Sequence, residues 1–365
     1  MKREEPKAEP RKSQTSRRLR PNSQRNKNLI ARLSCVLCVL CGYLFAFPVL
    51  AQEVPHPPDR PKASQPVPRP PERHQTTANT PAGEEPATTF KVNVRLVNVF
   101  TTVTDANGAP VTHLKREDFK VFEDGKEQTV AVFDRESGLP LSIVLAVDAS
   151  LSTRKDLALE LEAARRFAHT ILRPVDALAL YQFSKYVTEV IPFTANLRQI
   201  DHAISRVRAS SSTAVYDAIY LGSKALIPRQ GRKVLVLISD GGDTASQVSY
   251  HEAVRAAQTA EGIVYSIIMV PVEASAGRDI GGEHALIQLS HDTGGKHYYA
   301  TKLSGLEEAF RQISEELRTQ YLIGYYPSTR TGNDFRRIRL EVKAPEDAGE
   351  LRVRYRTGYY ISKLE

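Results

Sequence analysis

From Phe90 the apolar positions alternate, with Phe90, Val92, Val94 and Leu96 set against Lys91, Asn93 and Arg95. A period of two predicts a strand with one buried face. After Leu96 the phase slips, and Val97, Val99 and Val103 mark the apolar side, which predicts a bulge or a change of partner. Asn107-Gly108 supplies a turn. Phe119-Lys120-Val121-Phe122, then Asp124-Gly125, then Thr129 to Phe133 predict a β-hairpin. Residues 90–137 therefore read as a small β unit.

The pattern then changes to a β/α alternation over 138–320. Near-continuous apolar runs at 141–147, 177–183, 233–238 and 263–270 predict buried strands. Helical spacing fits 155–172, 196–207, 214–227, 250–260, 283–291 and 304–318. Apolar strands separated by helices imply an α/β domain with a doubly wound, mostly parallel sheet covered on both faces. Strand alternation returns over 321–365, where Ile338, Leu340 and Val342 and then Leu351, Val353 and Tyr355 mark apolar faces. The 90–137 unit is too small to be stable alone. It is expected to pair with the C-terminal strands in a smaller β-sandwich into which the α/β domain is inserted.

Charge and composition bear mainly on the N-terminal quarter. The 365 residues carry a net charge of +8, but eleven Lys and Arg fall within residues 1–32, which hold three acidic side chains. The rest of the chain is balanced, so a basic groove for nucleic acid is not expected. The basic stretch runs into an uncharged apolar segment, Leu33 to Leu50, ending in Val49-Leu50-Ala51 before Gln52. Residues 1–51 thus read as a secretory signal peptide, or as an N-terminal membrane anchor if uncleaved. Cys35, Cys38 and Cys41 all lie inside that segment, and a cleaved chain holds no cysteine and no disulfide. Residues 52–89 hold 10 of the 22 prolines up to Pro86 and no aromatic residue up to Thr89, the composition of a disordered, extended linker.

The candidate chemistry sits at strand ends. Asp148-Ala149-Ser150-Leu151-Ser152 follows the first α/β strand, and in doubly wound sheets ligands bind beyond the carboxyl ends of strands. Thr213 precedes a helix in Ser211-Ser212-Thr213-Ala214, and Asp240 follows strand 233–238 in Ser239-Asp240-Gly241-Gly242-Asp243. One Asp and two Ser hydroxyls spaced by two offer hard oxygen donors of low charge, suited to Mg²⁺ or Mn²⁺. Taken singly, each residue is as well explained as a helix cap or turn former. Ser152-Thr153-Arg154-Lys155 has the Ser-x-x-Lys form of acyl-enzymes but lacks its companion motifs. His284, His291 and His297 do not have zinc spacing, and the C-terminal tyrosines are expected to pack within strands.

Asp-x-Ser-x-Ser after an apolar strand, a Thr some way on and an Asp-Gly after a later strand resemble the metal-ion-dependent adhesion site of von Willebrand factor A (VWA) domains. The flanks, with Asp118-Phe119, Glu123-Asp124-Gly125-Lys126, Leu322-Ile323-Gly324-Tyr325-Tyr326 and Arg356-Thr357-Gly358-Tyr359, resemble the bacterial VWA-related family common in acidobacteria. The resemblance covers about residues 90–360. It implies a metal site of Asp148, Ser150, Ser152, Thr213 and Asp240. It further implies a non-enzymatic module, exported to the periplasm, cell envelope or medium, that binds a protein partner's acidic side chain in adhesion or envelope assembly. A scaffold in which metal only braces the fold is the alternative, and a metal-assisted hydrolase a third. Leu151 stands where the family has Gly, and Ser211-Ser212 where it commonly has Gly-Gly. Asp243 adds a further carboxylate beside the site.

Overall fold

The computed structural model describes residues 96–135, 138–150, 157–270, 279–328, 334–344 and 349–361. The N-terminal segment, the Pro-rich stretch and Ser152 lie outside them. The chain enters through β1 (Val97–Thr104), β2 (Phe119–Glu123), β3 (Lys126–Gln128) and β4 (Val130–Arg135). Next follow β5 (Leu141–Asp148), α1 (Leu157–Ile171), β6 (Ala177–Phe183), β7 (Val187–Thr194), α2 (Leu197–Ile204), α3 (Val215–Leu226) and β8 (Arg232–Ser239). The alternation continues with α4 (Tyr250–Ala260), β9 (Ile263–Met269), α5 (Ile280–Asp292), β10 (His297–Ala300) and α6 (Leu303–Thr319). The last strands are β11 (Tyr321–Tyr325), β12 (Phe335–Val342), β13 (Arg352–Arg354) and β14 (Gly358–Tyr360).

The central sheet has the order β10-β9-β8-β5-β6-β7. All its pairs are parallel except β6 with β7, so the sheet is mostly parallel, as its apolar runs imply. Alternate residues of β5 serve opposite faces. Leu141, Ile143, Leu145 and Val147 pack with α1, α2 and α6, whereas Val144 and Ala146 pack with α3, α4 and α5. Every residue of β5 is buried, and each fully buried aliphatic side chain contributes about 1.5–3 kcal/mol.

Two four-stranded sheets, β13-β1-β11-β4 and β14-β12-β2-β3, flank a third core. Both sheets mix strands from before and after the α/β domain, which alternate in the first and pair as β12 with β2 in the second. β1 pairs with β11 through Val97–Thr101 and with β13 through Thr102–Thr104, and it keeps Val97, Val99 and Val103 buried on one face throughout. The strand expected before the slip at Leu96 lies outside the described residues. The expected hairpin is only partly formed. β2 pairs with β3 across Asp124-Gly125, whose φ values of 47° and 84° give the left-handed pair of a two-residue hairpin turn. Val130 onward then leaves for the other sheet and pairs with β11. Gln128 and Val130 are both buried around exposed Thr129, so the chain crosses between sheets with its inward face kept inside.

The tyrosines fill this core. Tyr325 and Tyr359 each donate to the buried Glu123 carboxylate, at 2.7 and 2.8 Å, and Tyr321 donates to Val111 O at 2.7 Å. The sandwich is joined to α6 through Glu316, which accepts from Tyr265 (2.8 Å), Thr102 (3.1 Å) and Arg354 (2.6 Å).

Candidate functional site

Asp148 ends β5 with its side chain fully buried. One carboxylate oxygen accepts from Ser150 N at 2.9 Å, and the other from the Ser239 hydroxyl at 2.8 Å. Ser239 is the last residue of β8, the neighbouring parallel strand. The same hydroxyl accepts from Gly241 N at 3.1 Å, so one side chain shapes both the carboxylate and the following loop. Burial first, and the negative charge of Asp240 in addition, push the Asp148 carboxyl up to about 6, against the hydrogen bonds from Ser150 and Ser239. Two carboxylates at adjoining strand ends, one without access to water, form a local excess of negative charge that a cation would relieve.

The loops bearing the predicted residues are bonded to one another. Ser210 N donates to Ala149 O at 2.7 Å, tying the second loop to the first. Thr213 O accepts from Thr244 N (2.8 Å) and Ala245 N (3.0 Å), and Thr213 N donates to the Thr244 hydroxyl (3.0 Å), tying the second to the third. Asp148, Ser150 and Thr213 are buried, and Asp240 is half-buried with one oxygen accepting from Gly242 N at 3.2 Å. The third loop packs against the start of α5. Gly241 has φ of 91°, and a Cβ on Gly282 would lie 1.9 Å from Gly241 O, so glycine is required at this contact.

Three neighbours carry roles that sequence reading did not assign. Asp243 accepts from Val215 N (2.8 Å) and Tyr216 N (3.4 Å) at the start of α3. The preceding residue, Ala214, has no capping side chain, so Asp243 caps the helix across the loop gap. Asp279 caps α5 by accepting from Gly282 N at 3.0 Å. A Cβ built on Gly242 would stand 3.6 Å from Asp240 Oδ1 and 3.9 Å from Asp279 Oδ2, so both carboxylates border the same space. Ser239 is the third, and its position between an apolar strand and Asp240 was its only signal. Among the described residues no three His, Cys, Asp or Glu side chains gather as a metal-holding group. The residues expected from the sequence are two carboxylates with hydroxyls, a different set. The Ser-x-x-Lys segment lies outside the described residues.

Tyr186 and Ile280, 65% and 62% exposed, stand on segments bonded to or packed against these loops. Lys185 N donates to Ser211 O at 3.0 Å, and Ile280 opens α5 beside Gly241.

Residues 143–242 match the family model of the von Willebrand factor type A domain. A search among curated proteins finds no match. Similar solved structures include the conserved hypothetical protein BatB from Bacteroides thetaiotaomicron, at 16% identity and TM-score 0.41, covering 49% of this chain and 100% of that one. A von Willebrand factor type A protein from Catenulispora acidiphila is 12% identical with TM-score 0.44, covering 74% and 75%. The vWF domain of the type V pili tip protein Mfa5 from Porphyromonas gingivalis is 12% identical with TM-score 0.41, covering 48% and 94%. The matched span runs from β5 to the loop after β8 and takes in Asp148, Ser150, Ser152, Thr213 and Asp240: residues 143–242 are a match to the von Willebrand factor type A domain within a mostly parallel sheet.

Proposed function

We propose that this is an exported protein-binding module in which Asp148, Ser150, Ser152, Thr213 and Asp240 hold a divalent cation, Mg²⁺ or Mn²⁺, that takes an acidic side chain from a protein partner. The observation that carries the reading is the buried Asp148 carboxylate, raised by burial and by Asp240, at the carboxyl end of a parallel strand. Hydroxyl and carboxylate oxygens are the donors such hard cations take. A bound ion would supply positive charge incompletely neutralised by the protein, and hence an affinity for a further carboxylate. Tyr186 and Ile280 offer apolar contact area beside that charged centre, the pairing found at binding hot spots.

The bracing alternative has less support, because direct backbone hydrogen bonds already join the three loops. Those bonds hold the loops while leaving a cation to serve recognition. The module is read as binding rather than catalytic, acting in adhesion or in assembling envelope complexes, with residues 1–51 as export signal or anchor.

The test is capture of envelope proteins by the wild-type chain and by Asp148→Ala, each in Mg²⁺ and in EDTA. A protein held only by wild type in Mg²⁺ is the expected result. Equal capture in all four conditions would move recognition to another surface.

A further inference from the structure

At the opposite end of the central sheet lies a cavity of about 210 Å³, walled by Leu141, Ile171 and Leu317 and by four charged side chains, Arg173, Asp176, Arg232 and Arg318. Arg232 opens β8 and is only 4% exposed. Burying a guanidinium is costly unless its charge and donors are met. One Nη of Arg232 donates to Leu317 O, yet its Nε has no hydrogen-bond partner among the described residues. Burial, and the positive charge of Arg173 after it, lower the Arg232 pKa against the opposing charge of Asp176, so its counter-charge is incomplete.

Asp176 offers Arg232 charge at a distance, while its hydrogen bonds go to other donors. Its two oxygens accept from Leu141 N (2.8 Å), Arg173 N (2.9 Å) and the Arg173 guanidinium (3.0 and 3.1 Å). The carboxyl ends of α1 and α6 take part of the remaining donor capacity, with Arg318 Nη2 bonded to Thr170 O at 2.7 Å. A guanidinium carries five N–H donors, so one carbonyl bond does not exhaust either Arg232 or Arg318. Three positive side chains against one negative leave an excess of positive charge along the cavity wall that the carboxyl ends of α1 and α6 offset only in part. Clustered arginines suit a tetrahedral oxyanion, because the planar fork donates two parallel bonds.

We propose that this cavity binds a phosphate-type oxyanion through Arg173, Arg232 and Arg318, at the end of the sheet opposite the strand-end loops. The site is independent of the proposed cation. A free phosphate ion and a phosphate group borne by a larger molecule share this chemistry, and inorganic phosphate is the probe.

The experiment titrates the full chain with inorganic phosphate in EDTA, following heat and thermal unfolding against sodium chloride of matched ionic strength. Saturable one-to-one binding is expected, with a rise in Tm of about 5 °C at hundredfold saturation. Arg318→Gln alters an exposed side chain and is expected to weaken binding about tenfold or more, the loss of one charge-assisted bond. Arg232→Gln, checked for its fold by circular dichroism, should weaken it further. Asp148→Ala should bind phosphate as wild type does, which separates this site from the strand-end loops. Absence of a saturable response in wild type, or unchanged affinity in Arg318→Gln, would overturn the proposal. A phosphomonoester that binds more tightly than phosphate would assign the site to a group borne by a larger molecule.

Discussion

The Ser239 hydroxyl donates to Asp148 Oδ2 at 2.8 Å, joining the ends of two adjacent parallel strands through a buried carboxylate. Ser239→Ala removes this bond and leaves Gly241 N without its acceptor. A loss of about 1–3 kcal/mol in stability is expected, measurable by urea unfolding. Manganese affinity is expected to fall about tenfold, the usual effect of losing an outer hydrogen bond that orients a ligand.

Asp243 is a helix cap on these distances, and two substitutions separate that role from cation binding. Asp243→Asn keeps an acceptor for Val215 N and should leave stability within about 0.5 kcal/mol of wild type. Asp243→Ala should cost about 1–2 kcal/mol. If Asp243→Asn instead abolishes manganese binding while the fold persists, the carboxylate serves the ion directly.

Ser212 holds φ at 63°, in the left-handed region that favours glycine. It stands in the loop that carries Thr213. Ser212→Gly should relieve the strain and stabilise the protein by about 1 kcal/mol or slightly less, since glycine also gains freedom in the unfolded chain. Differential scanning calorimetry reads this as a rise in Tm. A fall in Tm would show that the serine side chain contributes more than its backbone costs.

Asp176 gives the fold a pH dependence of definite sign. Burial acts to raise its carboxyl, but hydrogen bonds from Arg173 and Leu141 N, with the Arg173 charge, hold it below its ordinary value of 3.8. The unfolded chain therefore takes up the proton first as pH falls. The stabilisation is present in full above about 4 and is lost as pH drops through the folded value. Asp176→Asn should cost about 2 kcal/mol at neutral pH, and the gap between the two proteins should narrow below about pH 4 and close only as pH falls through the lowered folded value. A constant gap across that range would contradict the linkage.

The α/β alternation was legible because β5, β6, β8 and β9 are runs of apolar residues long enough to be buried on both faces. β7 and β10 were not read. β7 is an edge strand, half exposed along its length, with Pro192 where its pairing shifts register, so neither an apolar run nor clean alternation marks it. β10 is four residues at the other edge, His297–Ala300. The hairpin reading ran on to Phe133, whereas the hairpin itself ends at Gln128, because local alternation does not report which sheet a strand joins. At the site, the loops could be picked out by their position after strands, but the bonds that lace them could not. Ser210 to Ala149 and Asp243 to Val215 link residues far apart in sequence, and no local pattern encodes them. Ser152 lies outside the described residues, so its place in the loop rests on its spacing from Asp148.

The central claim is that the Asp148 loops hold a divalent cation, and titration of the full chain with Mn²⁺, followed by electron paramagnetic resonance, tests it most directly. Wild type is expected to take up one ion per chain, displaced by excess Mg²⁺. Asp148→Ala, folded by circular dichroism, is expected to take up none. Absence of bound manganese in wild type, or equal uptake by Asp148→Ala, would contradict the account.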